Sequence, residues 1–336
     1  MQKRFFLQAA AAAVAIAVAG PAAAQAMWKP NRPINLIVPW AAGGSTDQVT
    51  RVTAAELEKV LGQKVVVVNQ PGASGSIGTR SAWEAAKDGY TWAAGAAQDL
   101  GAYQTLGMLD VPARDWHLFL SVANVPVVGV NAGKPWQNMT QLLDEMKAKP
   151  DQVKVATAGV TSGGHNAMEL IARATGVKYR HVTYDGGNPA AVATVSGETD
   201  LTTQLAVEQA DFIRGKRIRP LAAVSDKPLE LEGFGVIDPI TKFIPSIKVP
   251  TNYFGIFIPK GVPPEVVATV TQIWNNEIAR SEALKKYATS RGALFSPVAG
   301  DAAMNAAMPA IAANAWLMQD TGKAKVSPDK VGIARP

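Results

Sequence analysis

The sequence predicts an α/β protein of two domains, each with a mostly parallel sheet, and a ligand cleft between them. Three observations lead there. The chain has 336 residues, 48% hydrophobic and 18% charged, which suits about two well-buried domains. Strand-like and helix-like segments alternate as β-α-β-α-β, and the pattern recurs in the second half, which calls for parallel strands covered by helices. Glycine-rich loops follow strands in both halves, where open α/β sheets hold their ligands.

The elements follow in order. Residues 34–39 form an apolar run, the first strand. From Ser45 to Leu61 the spacing of Val49, Val52 and Val60 predicts a helix stopped by Gly62. Four consecutive valines behind Lys64 predict a buried strand over 64–68. The loop NQPGASGSIG leads into a helical stretch to Lys87, an Asp88-Gly89 turn and a strand over 90–94. In the second half, strands are expected over 153–157, 178–184, 201–205 and 218–224. A helix through Met168, Ile171 and Thr175 stops at Gly176. Another starts at Asn188-Pro189, a capping residue followed by Pro at the first helical position, and ends at Gly197. A last strand covers 253–259, and the helix after Pro263-Pro264 lines up Val266, Val267, Val270, Ile273, Trp274 and Ile278. Amphipathic stretches around Leu284 and over 304–316 complete the chain. No low-complexity linker interrupts it, so short strands are expected to cross between domain 1 (27–126 and 250–336) and domain 2 (127–249).

The segment 1–26 is read separately. Lys3 and Arg4, an apolar run over 5–19, a Gly20-Pro21 break and Ala24-Gln25-Ala26 predict a signal peptide cleaved after Ala26, and hence a periplasmic protein. The run falls short of the ~20 residues of a membrane span. Cysteine is absent, which excludes thiol chemistry and Cys-based metal sites. The formal charge of +6 becomes +4 without Lys3 and Arg4, 31 basic against 27 acidic residues. The basic run from Arg214 to Arg219 reads as a solvated helix end, and no nucleic-acid partner is expected.

Four loops, 40–47, 69–78, 159–166 and 184–188, are candidates for the cleft. They carry glycines, hydroxyls, amides and aromatics, and no lysine or arginine. Neither G-x-x-x-x-G-K-[ST] nor G-x-G-x-x-G occurs at the turns, which argues against nucleotides. A carboxylate is different, because the free N–H groups of a helix start and nearby hydroxyls can hold one delocalised charge. Each charge-assisted bond contributes about 1.5–3 kcal/mol and each helix end about 0.3–1 kcal/mol. Three or four bonds and two helix ends approach the ~8 kcal/mol of a micromolar complex.

The candidate ligand contacts are Trp40, Ala41, Gly43, Gly44, Ser45 and Asp47 in the first loop, and Ser74, Gly75 and Ser76 in the second. Gln98 follows the third strand. Thr161, Ser162, His165, Tyr184, Asp185, Gly186 and Gly187 come from the second half. Plainer roles stand beside these. Gly43 and Gly44 can serve the turn alone, Asp47 can support the loop, Trp40 and Tyr184 can be structural, and His165 can make a structural hydrogen bond. Ser45-x-x-Gln48 also fits a capping box. Three histidines without H-x-x-x-H or H-x-x-E-H spacing predict no zinc site, and GASGSIG is not G-x-S-x-G. No catalysis, metal or cofactor is expected.

VPWAAGGSTDQ resembles the strand–aromatic–Gly-Gly–x–x–Asp signature of tripartite tricarboxylate transporter solute-binding proteins, the Bug family. VVVVNQPGASGSIGTRSAWEAAKDGYTW resembles that family's valine strand, Asn-x-Pro-Gly-Ala-x-Gly turn and Asp-Gly-Tyr-Thr turn. GVTSGGHNAMEL, HVTYDGGNPA, SGETDL and FGIFIPKGVP match in the expected order, so the resemblance spans the mature chain. It implies a monomeric, non-catalytic periplasmic binding protein of the Venus-flytrap type. Such a protein closes on a small carboxylate and hands it to a transporter with one large and one small integral membrane subunit. It implies first-loop contacts from Trp40 to Ser45 with Asp47 in support, second-loop contacts from Ser74 to Ser76, and second-domain contacts from Thr161, Ser162, His165 and the 184–187 turn. Two stretches depart from the family pattern: Gly159-Val160-Thr161-Ser162, and the segment after Ser225. A periplasmic sensor is the alternative, with a hydrolase or lyase on the same fold behind it. Trp40 and Tyr184 leave aliphatic and aromatic acids both open.

Overall fold

The structure is a computed structural model that describes residues 27–336; the expected signal peptide lies outside the described residues. Two sheets organise the chain. In the first, β1 (Ile34–Val38) lies between β2 (Val65–Asn69) and β3 (Thr91–Ala96), both parallel to it. Strand β4 (Trp116–Asn124) belongs to the same sheet, and β5 (Val127–Asn131) follows it into the second sheet after only Val125 and Pro126. There β6 (Lys154–Thr157) runs parallel to β7 (Arg180–Thr183) and β8 (Leu201–Thr202), while β5 lies antiparallel between β8 and β9 (Ile218–Ala223). A small hairpin, β10 (Leu229–Leu231) with β11 (Gly235–Ile237), precedes the return. Then β12 (Tyr253–Pro259) enters antiparallel between β3 and β4, and β13 (Ala293–Ala299) completes the edge beyond β4. Each sheet is therefore mixed, with its βαβ strands parallel and the strands that carry the chain between sheets antiparallel.

Helices cover the first sheet on both sides. Leu36 and Val38 face α1 (Ser45–Leu61) and α8 (Pro264–Asn276), which bury Val49, Leu57, Val266, Val270, Ile273 and Trp274. Ile37 points the other way, toward α3 (Asp99–Thr105) and α10 (Gly300–Asp320), with Leu100, Tyr103 and Ile311. This alternation is the two-residue period of a strand buried on both faces. The remaining helices are α2 (Ser76–Glu84), α4 (Met139–Ala148), α5 (Gly163–Thr175), α6 (Gly187–Ser196), α7 (Ala206–Arg214) and α9 (Glu282–Arg291).

The predicted helix over 45–61 ends at Gly62, whose φ of 66° is the left-handed cap that glycine adopts without strain. Three expectations change. The four valines are not fully buried: β2 is a sheet edge paired only with β1, and Val66 is 43% exposed. Helix α6 starts at Gly187 rather than after Asn188, which puts Pro189 third; a missing N–H costs nothing there, because first-turn donors have no intrahelical partner. The capping box at Ser45 is absent. The N-cap is Gly44, which has no side chain to cap with. Strands β4 and β5 gave no alternation signal, since both sit inside their sheets and are buried on both faces. Among the described residues, no helix is long and apolar enough to cross a membrane.

Candidate functional site

The strand ends of both sheets meet across a small cavity of about 20 Å³, room for about one water. Four helices of the fold begin there: α1 with Gly44, Ser45 and Thr46, α5 with Ser162 and Gly163, α6 with Gly187, and α7 with Leu205 and Glu208. Each helix start carries about half a positive charge from its aligned peptide dipoles, together with donors that have no intrahelical partner. Trp40, Ala96, Asp99, Ala158, Gln204 and Phe254 complete the wall; none of the lining residues is a lysine or arginine.

The first loop is built around Asp47. Its buried carboxylate accepts from the Gly43 N–H at 2.9 Å, Asn69 Nδ2 at 3.0 Å and Arg51 Nε at 3.1 Å. Burial pushes this carboxyl up, but the bonds from Arg51, Gly43 and Asn69 outweigh it and hold it below the usual range. Gln48 closes the turn from the other side, donating to the Gly43 carbonyl at 2.8 Å. Gly43 has φ +79°, where a side chain is strained, so a glycine suits this turn. Asp47 thus takes the supporting role and leaves the Ser45 N–H free to point across the cleft.

A carboxylate of the protein itself meets that N–H. Glu208 Oε1 accepts from Ser45 N at 2.8 Å, and Oε2 accepts from its own helix start at Leu205 N, 3.2 Å. With its amide turned to satisfy its neighbours, Gln204 donates to Oε2 at 2.9 Å and accepts from the Ala158 N–H at 2.6 Å. Burial pushes the Glu208 carboxyl up, and the Ser45 and Leu205 donors pull it only part of the way back. Gly187 packs against this carboxylate so closely that a Cβ there would overlap it. A second acid, Asp99, opens α3 on the other side. Burial pushes its carboxyl well above the usual range, against opposing hydrogen bonds from the Trp40 and Gln98 side chains.

The second loop docks directly on the opposite sheet. Ser74 Oγ accepts from Val160 N at 3.1 Å, and its carbonyl accepts from Thr161 Oγ1 at 2.9 Å. Ala73 and Ser74 adopt φ of 44° and 56°, a strained pair of non-glycine residues of the kind that clusters at functional loops. The 159–162 departure noted in the sequence is the stretch Ser74 touches. Asn314 Nδ2 ties the same seam together, donating to the carbonyls of Gln98 at 3.0 Å and Thr161 at 3.1 Å.

Of the sequence candidates, the cavity gathers Trp40, Gly44, Ser45, Ser162 and Gly187. Ala41, Gly43, Asp47, Ser74, Gly75, Ser76, Gln98, Thr161 and Gly186 stand behind it. There Ala41 N donates to Asp185 O at 3.1 Å, and Ser76 Oγ donates to Ala73 O at 2.9 Å. Ser162 Oγ caps α5, accepting from His165 N at 3.2 Å, while its own N–H goes to Gly159 O. Three candidates lie apart from the cavity. Tyr184 donates to Glu198 Oε1 at 2.8 Å, and burial with that carboxylate beside it pushes its phenol up to about 12. Asp185 is exposed. His165 stacks on His181 with ring centroids 4.4 Å apart and meets Lys323 Nζ at 2.8 Å. Burial, with Lys323 and His181 near, pushes its imidazole down to about 2, so Nε2 accepts from the ammonium.

Sequence reasoning missed Asp99 and Glu208. Glu208 carried no clear signal: Leu205 is not a capping residue, although its N–H donates to the glutamate three positions on. Nothing local placed it against Ser45, 163 residues away.

The family described as the tripartite tricarboxylate transporter family receptor matches residues 49–310. Protein BugT of Bordetella pertussis is 30% identical over 286 residues, 83% of this chain and 86% of BugT. A protein of R. palustris solved with adipate is 24% identical, with a TM-score of 0.76 over 91% of this chain and 99% of that one. MatC from Rhodopseudomonas palustris, solved with bound malate, is 22% identical, with a TM-score of 0.77 over 86% of this chain and 99% of that one.

Proposed function

The chain belongs to the tripartite tricarboxylate transporter receptor family, and from that premise we propose that it captures a small carboxylate between two closing domains. The family and its structural relatives are solute-binding proteins rather than enzymes. In this reading domain 1 (27–126 and 250–336) and domain 2 (127–249) close on the solute in the periplasm, and the protein delivers it to a tripartite membrane transporter.

One observation carries the reading: four helix N-termini face one cavity whose wall holds neither lysine nor arginine. Such a wall favours a single delocalised negative charge over a polyphosphate. The adipate and malate held by the two R. palustris neighbours agree with that class. A cavity of about 20 Å³ admits no dicarboxylate, so capture requires the two sheets to part. Parting breaks the Ser45–Glu208, Ser74–Val160 and Ser74–Thr161 bonds, all of which cross the cleft. Fluorescence titration with aliphatic and aromatic mono- and dicarboxylates tests the reading, with Trp40 in the cavity wall as reporter. A saturable change is expected; its absence across the whole panel would reject carboxylate capture.

A further inference from the structure

Two acids face the cavity, and their surroundings differ. Glu208 meets three N–H donors, from Ser45, Leu205 and Gln204. Asp99 opens α3 on the other side, is 3% exposed, and keeps its Oδ1 without a hydrogen-bond partner among the described residues. The Trp40 and Gln98 side chains donate to this carboxyl, which leaves Oδ1 as the oxygen that meets no donor. A charged carboxylate offers acceptors only, whereas a neutral acid adds one O–H donor. The wall supplies no lysine or arginine, and a second acid faces the same space, so burial favours the neutral form at Asp99. The other groups packed around the pair do not reverse that. Tyr103, on α3, approaches Asp99, and Tyr287, on α9, approaches Glu208; burial keeps both phenols neutral. Arg291 of α9, the cation beside Tyr287, is paired with Asp211 of α7, and Asp47 of α1 is held by Arg51. From α10 the uncharged Asn314 amide reaches this turn, donating to the Gln98 carbonyl, and Ala96 of β3 and Phe254 of β12 bring no charge.

We propose that Asp99 is a neutral, proton-donating contact for the solute, so that capture takes up a proton. The proposal rests on the carboxylate reading above and deepens it. While the sheets are parted, the cavity wall meets water and Asp99 ionises as an ordinary carboxyl does, near 3.8. On closure the carboxyl loses its hydration, takes a proton from the solvent and turns Oδ1–H toward a solute oxygen. The arriving negative charge adds to this, because a like charge disfavours the ionised form. A neutral Asp99 also removes the repulsion that an ionised one would set against an anion held by the helix starts. On release the proton returns to water. Capture is therefore strongest below the open form's 3.8 and weakens as pH rises from there through the higher value of the closed form.

Calorimetry of the whole mature protein in two buffers of different ionisation enthalpy, phosphate and imidazole, counts the protons. The probes are malate, adipate and any other carboxylate of the panel that saturates. At pH 7, where these probes are ionised, about half a proton or more should be taken up per solute bound. Affinity should fall from pH 6.5 to 8.5 by up to about tenfold per unit. Asp99→Asn keeps the side chain's shape and a donor, so it should bind at pH 6.5 within about threefold of wild type, with a flat profile and without the uptake. Infrared difference spectra of the wild type on solute addition read the same event without a variant, as a gained band of a protonated carboxyl. Saturable binding without proton uptake, without that band, or with an uptake unchanged in Asp99→Asn overturns the assignment and leaves carboxylate capture standing. If no carboxylate of the panel saturates, the capture reading fails and this proposal with it.

Discussion

Two clusters of ionisable groups join the first and second halves of the chain, and they solve the burial of charge in opposite ways. At the cavity, Asp99 and Glu208 are buried among N–H donors and aromatics without a lysine or arginine. At the second, in the first turns of α5, Lys323 reaches across to His165, with Glu169 3.6 Å from its ammonium and 2.7 Å from the Tyr179 hydroxyl. The first cluster keeps acids and lacks a cation; the second supplies a cation and keeps a neutral imidazole. A group already partnered by the protein can only hold the two sides together.

The comparison breaks most visibly at Gly187. A Cβ there meets the Glu208 carboxylate, so Gly187→Ala should obstruct closure at the cavity. Overpacking of this kind costs about 1–3 kcal/mol. Solute affinity should fall roughly 10–100-fold in the titration that tests function, and an unchanged affinity would separate closure from that contact.

Next comes the donor rather than the side chain. Ser45 stands at the first helical position, where proline is well tolerated, so Ser45→Pro deletes the N–H with little damage to α1. Loss of a bond to a charged acceptor is worth about 1.5–3 kcal/mol. Binding should weaken on the order of tenfold or more for Ser45→Pro and under about threefold for Ser45→Ala. Equal losses in folded proteins would mean that the hydroxyl, and not the backbone, carries the contact.

The two clusters should also answer pH with opposite signs. The His165 imidazole sits below its ordinary 6.5, at about 2, so the fold prefers it neutral. The stability this contributes is complete above about pH 6.5 and is lost as pH falls from there toward 2, by at most about 1.4 kcal/mol per pH unit. Asp99 and Glu208 sit above their ordinary 3.8 and 4.5. Their contribution is complete below those values and is lost as pH rises through the raised ones. Thermal melts from pH 4 to 8 read both limbs. His165→Gln should flatten the acid limb, and Asp99→Asn should gain on wild type at pH 8 while converging near pH 4. Parallel curves for all three proteins would remove the distinction between the clusters.

The smallest effect is expected at Tyr184. Its hydroxyl is turned to Glu198 and it is only half-buried, away from the cavity wall. Tyr184→Phe should change solute affinity by no more than about twofold, the ~0.5 kcal/mol usual for surface changes. A larger loss would bring the 184–187 turn into direct contact with the solute.

Local signals account for which parts were legible. The 45–61 helix and its Gly62 stop were readable because periodicity and glycine caps are properties of neighbouring residues. The same holds for the first loop, whose glycines, Ser45 and Asp47 lie within a few positions of one another. Strands β4 and β5 were not readable, because strands buried on both faces lack the apolar–polar alternation that marks a half-buried strand. Asp99 and Glu208 look locally like ordinary acids in the first turn of a helix.

By itself the sequence determined two α/β units, glycine loops at their strand ends, and four cleft loops without lysine or arginine. Composition, short-range period and turn residues encode all of these. Only the tertiary structure decided that four helix starts share one cavity, that Glu208 crosses to Ser45, and that His165 meets Lys323 outside the cavity wall. Those are contacts between residues 158 and 163 positions apart, and no local preference of the chain specifies which distant partner a buried charge will meet.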